Sequence, residues 1–354
     1  MAHVTRPSVV FPPHEITTAD IADDTRNHAP SDSPLLGRLD SLMASLQVER
    51  RRFIAPLNSV AASGSVDCRN QIALEGMLQL GEQAAQDALR SAGLTARDID
   101  IVITSHSTTL ATPGLDVHLV NRLGLRPDVW RVPSTQLGCV GGAHTLTLAA
   151  RLADASPGSR VLVVVSEALS TVYQRDDTTI TGLIYRALFG DSAGACIVSS
   201  DALGAGLHVR RGWQYTVPGT QDYYALHTET DGMHFTSTRN APSGVNHLAA
   251  PLWQWLHEAD GDWTPDLVIA HPGGPAVLNL TAKALNCPVG LLSHSWDSLR
   301  ERGNLGGVSI LDILARTQDE SPRHGSRTLV LGVGPGLTGA AIEGTWHAPA
   351  TAGG

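Results

Sequence analysis

The sequence predicts an α/β protein in which helices are layered over largely buried sheets, and three observations carry that reading. Short β-branched runs alternate with longer stretches whose apolar residues recur every three or four positions. The chain has 354 residues, 42% hydrophobic and 17% charged, an ordinary globular balance with length enough for a substantial core. Asp201, Gly204 and Gly206 interrupt the alternation within 200–212, which divides the chain into halves, 1–205 and 206–354, each with several strands and helices.

In chain order, residues 1–35 read as peripheral. A helical pattern over 72–92 leads to a β-branched strand at 99–104, and 129–133 is extended. Helix 140–153 follows, then the apolar run 161–166, whose lack of alternation marks a strand buried on both faces. Helix 179–188 precedes strand 195–199, and 220–243 reads as a long, glycine-punctuated connection near a site. Helix 245–258, strand 267–270, helices 276–285 and 308–316, and strands 328–331 and 340–344 complete the pattern, with 347–354 peripheral.

Composition narrows the function. A net charge of −9 argues against wholesale binding of a phosphate backbone, so no nucleic-acid partner is expected. Four cysteines, at 68, 139, 196 and 287, form no CxxC pair and no disulfide framework, and none has zinc-ligand spacing. No secretory pattern opens the chain and no apolar run approaches the roughly 20 residues that span a bilayer. A soluble, reducing, cytoplasmic setting is expected, in which a free reactive thiol is chemically sensible.

The most informative thiol is Cys139, in Gln-Leu-Gly-Cys-Val-Gly-Gly. An extended segment, a glycine turn and a helix starting at the cysteine would put its sulfur at the positive end of a helix dipole, which favours thiolate. Gly138, Gly141 and Gly142 would let a substrate carbonyl approach closely. The alternative is a small core residue, the usual fate of a free cysteine. Three other motifs compete. Gly190-Asp191-Ser192-Ala193-Gly194 has the G-x-S-x-G form of a hydrolase elbow, but its helix precedes and its strand follows, the reverse of what an elbow needs. Gly334-Pro335-Gly336-Leu337-Thr338-Gly339 has the G-x-G-x-x-G form, yet too little chain follows for a dinucleotide fold, which leaves a loop where backbone can approach a ligand. His271 in His-Pro-Gly-Gly-Pro and Asn304 in Gly-Asn-Leu-Gly-Gly sit where glycine and proline fix the backbone; each is equally readable as a structural residue.

Taken in order, these segments resemble the type III polyketide synthases, the chalcone-synthase-like group of the thiolase and ketoacyl synthase superfamily. Ala187-Leu188-Phe189-Gly190-Asp191, Pro113-Gly114-Leu115-Asp116 and Pro12-Pro13-His14-Glu15-Ile16-Thr17 resemble further segments of that group. The resemblance implies a thiolase-like fold of two similar α/β halves in an α-β-α-β-α arrangement, the first carrying Cys139 and the second His271 and Asn304. It implies that Cys139 accepts an acyl starter from CoA as half of a thiolate–imidazolium pair with His271. His271 and Asn304 would then stabilise the enolate formed when malonyl-CoA loses CO2, and release or cyclisation would give a pyrone or aromatic product. Phe189 and Phe235 would form an apolar neck, Arg50, Arg51 and Arg52 a cationic patch for CoA phosphates, and Ser107, Thr108 and Gly306 a reshaped cavity beside the Gly334-Pro335-Gly336 loop. A longer or unusual starter would fit that cavity. Thr112 precedes Pro113 where the plant members place a methionine that reaches across the dimer into the partner's cavity. No cofactor or metal beyond the CoA thioester substrates is implied, and a homodimer is. The rivals are a single-condensation ketoacyl synthase or acyltransferase of the same superfamily, a hydrolase using Ser192, and a silent partner subunit.

Overall fold

The structure is a computed structural model that describes residues 1–62 and 64–348. Its fourteen strands are β1 (His3–Thr5), β2 (Ser8–Val10), β3 (His14–Thr17), β4 (Arg50–Phe53), β5 (Ile101–Ser105), β6 (Trp130–Pro133) and β7 (Arg160–Glu167), then β8 (Ser192–Ser199), β9 (Gly206–Thr216), β10 (Tyr224–Glu229), β11 (Gly232–Ser237), β12 (Leu267–Ala270), β13 (Arg327–Gly334) and β14 (Thr338–His347). Ten of them make one sheet in the order β12-β13-β14-β9-β1-β8-β7-β5-β6, with β2 also on β8. β5 runs parallel to β6 and β7, and β12 parallel to β13, while β8, β9 and β14 return antiparallel.

Two helices form the middle layer. Gly141–Ala155 and Val308–Asp319 bury most of their residues and pack on strands of both wings of the sheet, which closes around them. They approach closely because Gly142 has no side chain; a Cβ there would overlap the Gly307 carbonyl. The long helix Val66–Ser91 covers β7 and β8 from outside, and Val245–His257 covers β9 on the other wing. The apolar sequence of β7 thus lies between two helical layers, its residues after Arg160 all buried.

Each strand and helix read from the alternating pattern is present. The N-terminal segment differs. Residues 1–35 were expected to be peripheral, yet β1 lies at the centre of the sheet, antiparallel to both β8 and β9, with His3 and Val4 fully buried. Three-residue strands are too short to show a period. The connection 220–243 contains the hairpin β10–β11, and β9 begins at Gly206, inside the stretch read as an interruption. Of the C-terminal residues read as peripheral, His347 ends β14, and 349–354 lie outside the described residues.

Candidate active site

Cys139 follows β6 in a single 3-10 turn, Gly138–Val140, from which the helix Gly141–Ala155 departs. Gly138 has φ +55°, and a Cβ there would lie 2.8 Å from the Pro335 ring, so only glycine fits. Its N–H donates to Ser107 Oγ at 2.7 Å, which ties the turn to the end of β5. The sulfur therefore sits at the N-terminal end of a buried helix, as expected from the sequence.

His271 comes directly after β12. Its backbone N–H donates to the Leu331 carbonyl at 2.9 Å, extending the ladder to β13. Gly274, with φ +137°, and Pro275 at the first helical position turn the chain into the helix Pro275–Ala284. The imidazole is buried and its Nδ1 has no hydrogen-bond partner.

Asn304 is held by its backbone. Its N–H donates to the Leu188 carbonyl at 2.7 Å, and its own carbonyl accepts from Gly190 N–H at 3.0 Å, which locks it beside Phe189. Its Oδ1 accepts from Gly306 N–H at 2.9 Å, which leaves the amide NH2 as the free donor; Oδ1 and the amide nitrogen each stand 3.9 Å from Cys139 Sγ.

These three residues line one cavity with Tyr185, Phe189 and Phe235. Phe189 and Phe235 meet edge to face, ring centroids 5.2 Å apart, and Tyr185 stacks on Phe189 at 5.1 Å while donating from its hydroxyl to Ser237 Oγ at 2.7 Å. A second cavity of about 180 Å³, sharing Cys139, Phe189, Phe235 and Pro335 with the first, is also lined by Ser107, Thr108, Glu167, Leu226 and Gly306.

Burial dominates the electrostatics. It pushes the Cys139 thiol up to about 12, with the charge of Glu167 adding to the rise and the Asn304 hydrogen bond opposing it. Burial also pushes the His271 imidazole down to about 3. Burial acts on both groups toward a thiol and a neutral imidazole, the direction opposite to the thiolate–imidazolium pair that the resemblance implies.

Several residues escaped sequence reasoning. Glu167 is buried at the end of β7, accepts from Ser107 N–H and Thr108 Oγ1–H, each at 3.1 Å, and is raised to about 7 by burial. An acid closing an otherwise apolar strand was the available signal. Tyr185, Tyr224 and Leu226 were hidden in an amphipathic helix and a half-exposed hairpin.

The arginine patch is corrected. Residues 50–52 form β4, whose alternation sends Arg51 inward, fully buried, where its guanidinium donates to the carbonyls of Ile16 and Ala187 and to Thr18 Oγ1. Arg52 donates to the Pro13 carbonyl and pairs with Glu15 at 2.9 Å, which leaves only Arg50 exposed and unengaged in these contacts. Gly336 lines neither cavity, and Thr112 is exposed on the surface of this chain, as a residue facing a partner would be. Gly334 lines the first cavity and Pro335 both. Ser192 is fully buried within β8, outside both cavities, so the hydrolase reading has no nucleophile.

Two wings of sheet around a buried helical pair, with a cysteine, a histidine and an asparagine drawn into one enclosed chamber, define an acyl-transferring condensing enzyme of thiolase-like fold. Models of the N-terminal and C-terminal domains of chalcone and stilbene synthases match residues 55–202 and 208–344, and the chain belongs to that family, the type III polyketide synthases. It is 30% identical over 352 residues to the phloroglucinol synthase of Pseudomonas fluorescens, covering 98% of this chain and 100% of that one. It is 35% identical over 344 residues to a 1,3,6,8-tetrahydroxynaphthalene synthase of Streptomyces peucetius, covering 92% and 88%. Among solved structures, the germicidin synthase of Streptomyces coelicolor superimposes with a TM-score of 0.93 at 38% identity over 98% of this chain and 99% of that one.

Proposed function

We propose that Cys139, His271 and Asn304 are the catalytic residues of this polyketide synthase, and that it extends a CoA-borne acyl starter with malonyl-CoA. His271 takes the Cys139 proton as the sulfur attacks the starter thioester, and returns it to the departing CoA thiolate, leaving acyl-Cys139. Malonyl-CoA then binds with its thioester oxygen between the His271 N–H and the Asn304 amide. Loss of CO2 leaves the electron pair as an enolate on that oxygen, where the two donors stabilise it. The α-carbon attacks the acyl carbonyl, the new carbon–carbon bond forms as the carbon–sulfur bond breaks, and Cys139 is freed for the next cycle.

The observation that carries this reading is the Asn304 amide 3.9 Å from the sulfur, in the cavity that also holds His271. A neutral imidazole has one N–H to donate to an enolate and one bare nitrogen to take the thiol proton, a transfer that the dry resting site opposes and that bond formation at the thioester carbon drives. Each step uses groups the chain supplies, so CoA thioesters suffice as substrates with no further cofactor. Phe189 and Phe235 would form the neck between the chambers, and the second one, with Leu169, Leu226 and side-chain-free Gly306 in its wall, would accommodate a longer starter. The edge strand β6, with Trp130 61% exposed, supports a homodimer through that edge. No helix among the described residues is long and apolar enough to cross a membrane, which accords with a cytoplasmic enzyme.

Mass spectrometry of products from a panel of acyl-CoAs with labelled malonyl-CoA tests the reading. Multiple labelled units in a cyclised product are expected; a single-extension β-ketoacyl product would favour the one-step synthase.

A further inference from the structure

The hairpin β10–β11 has two faces with different chemistry. Leu226 and Phe235 are directly opposed across its strands and both line the second cavity. On the alternate face His227 is directly opposed to His234, and Glu229 follows two residues after His227. Asp231 sits in the turn between the strands. One ligand atom from each of Glu229, Asp231 and His234 lies within 4.8 Å of the others, and His227, Glu229 and His234 also share the wall of one recess.

We propose that this outer face binds a single first-row divalent transition-metal ion through Glu229, Asp231 and His234. Imidazole nitrogen mixed with carboxylate oxygen suits zinc and its neighbours better than magnesium, which prefers an all-oxygen shell. Ligand atoms about 2.1 Å from a tetrahedral ion stand about 3.4 Å apart. Glu229 and Asp231 are exposed, so rotamer changes can bring the set to that spacing. His234 Nε2 already meets Asp231 Oδ1 at 2.9 Å, so two of the donors converge without an ion.

The surroundings hold the turn in place. Arg69 runs beneath it, and a Cβ on Gly232 would lie 2.6 Å from Arg69 Cδ. Its guanidinium donates to the carbonyls of Val60, Ala62, Thr171 and Tyr173, and its positive charge also reaches Asp231, so an ion bound there must compete with it. Asp177 adds a second carboxylate to the recess beside Glu229 and His234. An ion bridging both strands would stiffen the hairpin whose other face walls the catalytic chamber. This inference does not depend on the reaction proposed above.

The test is calorimetric titration of the full-length protein with zinc chloride, after iodoacetamide has blocked accessible thiols, alongside His234→Gln and Glu229→Gln. One equivalent is expected to bind, at least about tenfold more tightly than to either variant, with magnesium chloride giving no comparable signal. Hydrogen exchange of the 224–237 backbone is expected to slow with zinc in the wild type and not in the variants. No zinc binding, equal affinity in both variants, or equal binding of magnesium would overturn the proposal.

Discussion

The Asn304 amide nitrogen stands 3.9 Å from the Cys139 sulfur although 165 positions separate the two residues. Nothing local to either residue brings them together. The Leu188 and Gly190 backbones clamp Asn304, the Gly306 N–H orients its amide, and the Gly138 turn presents the sulfur. The site is therefore a product of the two wings closing on the central helices, and its parts are separable by mutation.

Asn304→Ala removes one of the two donors that would face the enolate. Decarboxylation and chain extension are expected to fall by about 100- to 1,000-fold, while acylation of Cys139 by a starter survives. Single-turnover assays with labelled starter and labelled malonyl-CoA separate the two steps.

The negative charge of Glu167 helps to hold the Cys139 thiol protonated. Glu167→Gln is expected to accelerate alkylation of Cys139 by iodoacetamide above pH 7. The difference should shrink below pH 7, because Glu167, raised to about 7, is then itself protonated. Rates followed from pH 6 to 9 by peptide mass spectrometry check the trend. A wild-type rate already high at pH 6 would restore the thiolate–imidazolium pair.

His3 is fully buried between His208 and His347, with neither ring nitrogen partnered. Burial, reinforced by the two neighbouring imidazoles, lowers it from 6.5 to about 4. The unfolded chain therefore binds more protons between those values, and stability is lost as pH falls below 6.5. From pH 7.5 to 5 that loss is about 2 kcal/mol, and His3→Phe is expected to remove it. Urea unfolding at both pH values measures the difference.

Arg51→Ala is expected to destabilise the fold by about 2–4 kcal/mol, because it leaves buried carbonyls without donors. The CoA thioester KM of whatever folded enzyme remains should be little changed. A selective rise in KM at unchanged stability would return Arg51 to a phosphate-binding role.

Gly306→Ala adds a methyl at φ +58°, with its Cβ 3.2 Å from Glu167 Cγ. A modest loss of stability, about 1 kcal/mol, is expected, together with a shift in kcat/KM from long toward short acyl starters. Competition between acyl-CoAs of two lengths reads the shift directly.

How much of this was legible in the sequence depended on how each residue is read. β7 announced itself because an unbroken apolar run has few alternatives to a strand buried on both faces. β1 did not, since three residues carry no period and its burial is conferred by β8 and β9. Cys139, His271 and Asn304 were recognisable from the glycines and prolines that fix their backbones. Arg51 was misread because three adjacent arginines mask the alternation that buries the middle one. Glu167 and Tyr185 stayed hidden, as their role comes only from what the tertiary fold sets opposite them.

The central claim is that Cys139 carries the growing chain. Intact-protein and peptide mass spectrometry after incubation with an acyl-CoA, malonyl-CoA withheld, tests it most directly. The account requires a mass increase equal to the acyl group, mapped to the peptide containing Cys139 and absent from Cys139→Ala. An adduct on another residue, or one that persists in Cys139→Ala, would contradict it.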